Sequence, residues 1–335
     1  RQGISSAGLG FNLQSAVLQV LGFNQSIVRV GPKYIGYGIM QVMKHGIGAF
    51  REVNELSEFM ANRSVTQFRE LNEIRNRVQG QSAAMKRVRM GTYFLMMKMQ
   101  RSVDVPTWIG AYTKQLAINP DEQLAIDIAD QTVIDTQGSG MIKDLSAVER
   151  GGAGAKLFTV FYGYMNTVYN MAAVQTMTEK KRGKLAADYV MLFVVPVVLT
   201  YALKKLLKPS KDDDDDFDLE QMAKDLSIEQ IEYLMGTMVV AREFSQIART
   251  MIDPSAPSMG YKGPAGLRMI GDTYTAATQI GQGEFDTAFR KSAINLIGDA
   301  TGLPSAQVNR TIDGIEALME DETTDIRAPL FGVRK

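Results

Sequence analysis

The chain has 335 residues, with 37 Lys plus Arg against 37 Asp plus Glu, so its formal net charge is zero and a general electrostatic attraction to nucleic acid is excluded. It has no Cys and one His, which excludes disulfides, thiolate metal sites and Cys/His catalysis. Its length suits two or three helical modules, and its twenty Met suit either helices that repack against changing neighbours or an ordinary Met-rich core.

Position 1 is Arg, followed by a Gly/Ser-rich apolar stretch without a basic leader, the pattern expected of a piece of a longer polypeptide rather than of a secretory signal. Gln2 to Val28 is uncharged but too rich in Gly, Ser, Asn and Gln for a spanning segment, although Phe11, Ala16, Val17, Val20 and Leu21 make one apolar helical face. Ile35 to Phe50 repeats apolar residues at helical spacing, interrupted by Gly36, Gly38, Gly46 and Gly48, which suit close helix contact. The charged run from Arg51 predicts an exposed amphipathic helix through Val78, with heptad spacing broken between Leu56 and Val65. Lys86, Arg87, Arg89, Lys98 and Arg101 surround an apolar aromatic stretch, either a wet helix face or an anionic-lipid or nucleic-acid contact. Asn119, Pro120, Asp121 and Glu122 predict a helix start with Asn119 as N-cap and Pro120 at the first helical position.

Two long uncharged segments then follow, Leu157 to Thr178 and Tyr189 to Leu203, separated by the basic turn Glu179 to Lys184. They predict a central hydrophobic helical hairpin, able to sit in a bilayer or in a very apolar subunit interface. The residues expected to meet membrane or partner are Phe158, Phe161, Tyr162, Tyr164, Tyr169, Tyr189, Phe193, Val194, Pro196, Val198 and Tyr201. A basic flank of Lys180, Lys181, Arg182, Lys204 and Lys205 is expected to reach a headgroup region by snorkelling. Pro196 should kink the second arm, which is tolerable when neighbours satisfy the freed carbonyl. Cations at both ends leave orientation open.

Five consecutive Asp, Asp212 to Asp216, read as a solvated linker, since they lack the alternation and turn Gly of a calcium loop. Asp218 to Met251 predicts an amphipathic helix with a cap signature at Ser227, Glu229 and Gln230. Tyr261 to Ile280, Phe285 to Asp299 and Ala306 to Glu320 predict further helices, and Thr323 to Lys335 an extended terminus. The fold class expected is therefore all-α. Its expected organisation is an N-terminal helical region over 1–150, the hairpin over 151–210, an acidic linker over 211–217 and a C-terminal helical bundle over 218–335.

His45 stands alone in a Gly-rich stretch and no phosphate-binding loop occurs, so no catalytic, cofactor or metal residue is assigned and no cofactor is expected. Two phrases, VIDTQGSGMIKDLSAVERGGAGAKLFTVFYGYMNTVYN from Val133 and ATGLPSAQVNRTIDGIEALMEDET from Ala300, resemble the C-terminal region of large polyvalent phage polyproteins and internal virion proteins. FNLQSAVLQVLGFNQSIVRVG, from Phe11, is similar to a phrase upstream in the same context. The resemblance implies an ejection protein stored inside the capsid near the portal, then released into the host envelope to help form a genome-delivery conduit, with any enzymatic module lying upstream. Its implied partners are further copies of itself, other internal virion or portal proteins, the host inner membrane, and phage DNA in passage. The alternative is a structural docking domain in the virion core that anchors an upstream enzyme.

Overall fold

The computed structural model describes residues 13–66, 94–139, 162–207, 219–236, 265–283, 285–301 and 303–333. Of these residues, 88% are helical and none lies in a strand, so the protein is all-α. The segment before residue 13, the basic stretch at 86–89, the Gly-rich loop at 151–154 and the acidic run at 212–216 lie outside the described residues.

The N-terminal helices are α1 (Leu13–Leu18, continued by a 3-10 turn), α2 (Gly22–Val30), α3 (Pro32–His45), α4 (Ile47–Leu56), α5 (Glu58–Thr66), α6 (Phe94–Ile118) and α7 (Glu122–Gln137). Gly31, at φ +100°, ends α2, and Pro32 opens α3 with its φ already helical. Gly46, at φ +53°, divides the apolar stretch into α3 and α4. The break in heptad spacing becomes a real break at Ser57, whose hydroxyl accepts from Met60 N–H at 3.0 Å to cap α5 and donates to Asp130 Oδ1 at 2.7 Å.

Val30, Ile35, Val53, Met60, Val105, Trp108, Ala111, Ala129 and Val133 form the first core. Trp108 is fully buried, stacks on Tyr112 with centroids 4.9 Å apart and donates from Nε1 to Asp130 Oδ1 at 2.7 Å. Truncating such a residue to Ala costs about 3–5 kcal/mol. Helices α3 and α6 touch through glycine: a Cβ at Gly38 would overlap Pro106 O, and one at Gly110 would lie 2.7 Å from Tyr34 O. Gly36, by contrast, faces open space.

A polar thread crosses this bundle. Gln137 Nε2 donates to Gly22 O and Ser26 Oγ, both at 2.9 Å, Ser26 and Thr107 share a 2.7 Å hydrogen bond, and Gln100 Nε2 reaches Gln137 Oε1 and Asp104 Oδ1. Arg63 Nε donates to Asp104 Oδ2 at 3.0 Å with both side chains wholly buried. The Arg63 guanidinium lies over the Phe59 ring, and its Nη1 and Nη2 have no hydrogen-bond partner among the described residues.

The start of α7 differs from the sequence expectation. Asp121 is the N-cap, accepting from Leu124 N–H at 3.0 Å, whereas Asn119 N–H bonds Gln115 O at 2.8 Å and so finishes α6.

Helix α8 (Tyr162–Thr178) and the long helix α9 (Arg182–Leu207) follow, then α10 (Leu219–Gly236), α11 (Ala265–Gln282), α12 (Thr287–Thr301), α13 (Ser305–Met319) and the short α14 (Ala328–Phe331). Arg290 of α12 bonds Asp313 and Glu316 of α13. The terminus expected to be extended instead folds back on α13, where Gly314 makes room for Ala328 O, Thr311 Oγ1 donates to Pro329 O at 2.9 Å and Gln307 Nε2 to Leu330 O at 3.1 Å. Ser227 is no cap either: it lies inside α10 and donates to Ala223 O at 2.7 Å.

Candidate functional site

The hairpin forms because α8 stops at Thr178 and the chain reverses through Glu179, Lys180 and Lys181. Glu179 N–H bonds Gln175 O, and its carboxylate accepts from Lys181 N–H at 2.9 Å and pairs with Lys184 Nζ at 2.8 Å. These partners, Lys184 first, hold the Glu179 carboxyl below its ordinary range. Lys180, Lys181 and Arg182 stand exposed at this end, as expected of the basic flank. The arms are tied by a 2.6 Å hydrogen bond between Thr176 Oγ1 and Tyr189 Oη.

Between the arms lies a second core of Val168, Met171, Ala172 and Leu192, flanked by Met191 and Phe193 and completed by Val28 of α2. Helix α2 therefore serves both cores, with Val30 in the first and Val28 in the second.

The middle of α9 departs from α-helical winding. Val190–Val194 is π-helical, with Val195 N–H bonded to Val190 O, and the buried Pro196 follows at once. In α register the N–H that Pro196 lacks is the one that would bond Leu192 O, and the wider π turn displaces the neighbouring bonds by a residue. The two carbonyls at this step are met from α10. Tyr233 Oη donates to Leu192 O at 3.1 Å and Gln230 Nε2 donates to Phe193 O at 2.9 Å. Because Tyr233 donates to a carbonyl, it accepts from Tyr164 Oη of α8 at 3.1 Å. Burial, then the neighbouring Tyr164, pushes the Tyr233 phenol well above its ordinary range, which keeps it protonated and donating. Phe193 meets the Tyr233 ring edge-on at 6.5 Å.

One turn from the end of α9, Lys204 does not reach outward as the sequence reading expects. It is buried, and its Nζ donates at 2.9 Å to Glu229 Oε1 of α10, which is wholly buried too. A buried acid one helix away supplies the partner that an inward-turned ammonium requires. Glu229 Oε2 has no hydrogen-bond partner among the described residues. Past Lys204, Arg327 Nη1 donates to Leu206 O at 3.0 Å and so caps a carbonyl in the last turn of α9.

The opposite side of α9 is bare. Val190, Val194, Val198, Leu199 and Leu206 are 41–66% exposed, and Ala186, Ala187 and Ala202 are exposed with them. Positions 190, 194, 198, 202 and 206 recur at one-turn spacing, so the outer side of the helix carries an unbroken uncharged ridge. Only 28% of the most apolar part of α9 is buried, and at 1.5 Å per residue its 26 residues extend about 39 Å, longer than the roughly 30 Å of a bilayer's hydrocarbon.

The expected interface residues therefore divide. Val194 and Val198 lie on the ridge, Tyr169 is 52% exposed on α8, and Tyr201 is half-buried. Pro196 is buried and the ring of Phe193 meets Tyr233 of α10, while Tyr164 and Tyr189 spend their hydroxyls on contacts within the fold. Tyr162 opens α8, Lys205 is half-buried, and Phe158 and Phe161 lie outside the described residues. Sequence reasoning placed Glu229 and Gln230 in a cap signature rather than against α9, and did not single out Tyr233. Part of their signal was present, since Glu229 and Tyr233 stand at i and i+4 on one helix face and a proline in a long apolar helix demands a donor for the freed carbonyl.

Among the described residues no group of three His, Cys, Asp or Glu side chains could hold a metal ion. No protein-family model, curated protein or solved structure matches the chain.

Proposed function

We propose that the chain is a segment of a phage internal virion protein, ejected so that α9 enters the host inner membrane as part of an oligomeric genome-delivery conduit. The observation that carries this reading is the exposed uncharged ridge on a helix long enough to cross a bilayer. Burying such apolar surface is worth about 25 cal/mol per Å², and the exposed cations at the Arg182 end suit anionic headgroups. In this role the protein acts through its surfaces and performs no chemistry itself.

The competing reading is a docking domain that remains in a virion core and anchors an upstream enzyme. The buried Lys204–Glu229 pair and the packing of α2 on the hairpin favour it, because both hold α9 within the fold. Flotation with anionic liposomes, followed by protease mapping, separates the two. Protection of a fragment over α8 and α9 that depends on lipid, lost in Val194→Asp with Val198→Asp, is the expected result. A soluble oligomer with the same fragment protected without lipid, and vesicle binding unchanged by the two Asp, would refute membrane insertion.

A further inference from the structure

Helix α10 holds α9 at three places on one side: Tyr233 at Leu192 O, Gln230 at Phe193 O and Glu229 at Lys204. None of these contacts involves the ridge, which lies on the other side of α9. The sequence of α10 carries Glu220, Lys224, Asp225, Glu229 and Glu232 within 18 residues, so it cannot accompany α9 through hydrocarbon at an acceptable cost. Whatever brings α9 across a bilayer must first detach α10.

Detachment changes what α9 presents. Lys204 loses its counter-ion, but lies within one turn of the helix end, close enough for its ammonium to reach headgroups. The carbonyls of Leu192 and Phe193 lose their donors at the middle of the helix, where lipid offers none. Rewinding the π turn to α register would leave one carbonyl unmet, the one opposite Pro196, in place of two. A π turn beside a proline is therefore a structure that α10 supports in water and that a membrane would not retain.

We infer that α10 is a releasable clasp that regulates insertion: bound, it keeps α9 folded in water, and released, it frees α9 to straighten and cross. This inference rests on the membrane reading above, and the experiment separates their failures. The 335-residue chain has no Cys, so Lys204→Cys with Glu229→Cys can be bridged in it by a reducible bismaleimide. Flotation and protease protection are then read on vesicles of phosphatidylglycerol and phosphatidylethanolamine.

The bridged protein is expected to leave α9 unprotected, and reduction to restore a lipid-protected fragment over Arg182–Leu207. As a second variant that keeps the shape of the site, Tyr233→Phe should lower the lipid concentration for half-maximal binding by up to about thirtyfold, the effect of one buried carbonyl left unpaired. Equal protection of bridged and reduced protein, with Tyr233→Phe binding as the wild type does, overturns the clasp and leaves the membrane reading standing. No vesicle association by the wild type, the reduced form or Tyr233→Phe overturns both.

Discussion

The bond from Tyr233 to Leu192 O gives a quantitative test, because one deleted oxygen should be felt through one proline. Tyr233→Phe keeps the ring against Phe193 and removes the hydroxyl, which leaves the Leu192 carbonyl unpaired beside the buried Pro196 and takes the acceptor from Tyr164 Oη. An unsatisfied buried polar group costs about 1–3 kcal/mol, so roughly 2 kcal/mol is expected, which is about thirtyfold in an opening equilibrium. Hydrogen exchange of α9 amides after Pro196 reads that opening directly. If the cost arises because Pro196 lacks an N–H, Pro196→Ala supplies a competing donor to Leu192 O. Tyr233→Phe should then accelerate exchange only about fivefold in that background, a coupling of roughly 1 kcal/mol. Equal acceleration in both backgrounds, within about 0.5 kcal/mol, would refute the assignment of Tyr233 to the proline's carbonyl.

Gly38→Ala places a methyl on Pro106 O, a backbone atom that cannot rotate away, and should cost about 1–3 kcal/mol in urea unfolding; Gly36→Ala meets open space and should be neutral or stabilising by about 0.5–1 kcal/mol. Asp104→Ala strands the buried Arg63 and should cost about 3–5 kcal/mol, whereas Arg63→Met with Asp104→Leu should recover most of that loss, as read by the fluorescence of the sole Trp during unfolding. Burial pushes the Asp130 carboxyl above its ordinary range, against the opposing hydrogen bonds from Ser57 and Trp108. Its folded form thus binds a proton more readily than the unfolded chain, and this contribution is complete below the unfolded pKa and lost as pH rises through the folded one. Asp130→Asn, which keeps an oxygen for Ser57 and Trp108, should therefore gain on the wild type as pH rises above about 3.9, the carboxyl's unfolded value, measured by urea midpoints.

Periodicity and punctuation made much of this fold legible. The uncharged runs on either side of Glu179, Lys180 and Lys181 are helical where described, from Tyr162 to Thr178 and from Tyr189 onward, and Gly31, Pro32 and Gly46 mark real boundaries. These features depend on neighbours in sequence, which is why they can be read from it. Two of the errors, at Lys204 and at the last residues, came from distance along the chain, whereas that at Asn119 was a local choice between neighbouring caps. Asn119 gave way to Asp121 as N-cap because α6 extends far enough to take the Asn119 N–H. Lys204 turned inward because Glu229, 25 residues later, waits beside it. The last residues are not extended because Gly314 leaves a place for Ala328. At the ridge, the apolar run named Val194 and Val198 together with nine other residues, and only the packing of α10 tells which side of α9 is bare.

Helix α2 has consequences beyond its nine residues. Asn24, Gln25, Ser26, Val28 and Val30 are all buried, so it has almost no side turned to water. Its C-terminal carbonyl accepts from Lys114 Nζ at 2.8 Å and Arg29 pairs with Asp135 at 3.0 Å, which fastens it to α6 and α7 while Val28 rests on the hairpin. A wall shared by two rooms cannot stand if either is emptied: removing the hairpin would wet Val28 and weaken the support of the bundle from the far side. Melting of the bundle and departure of the hairpin are thus thermodynamically linked, and a force that draws out one would propagate into the other through this helix, alongside the contacts of α7 with α8 and of α1 with α9.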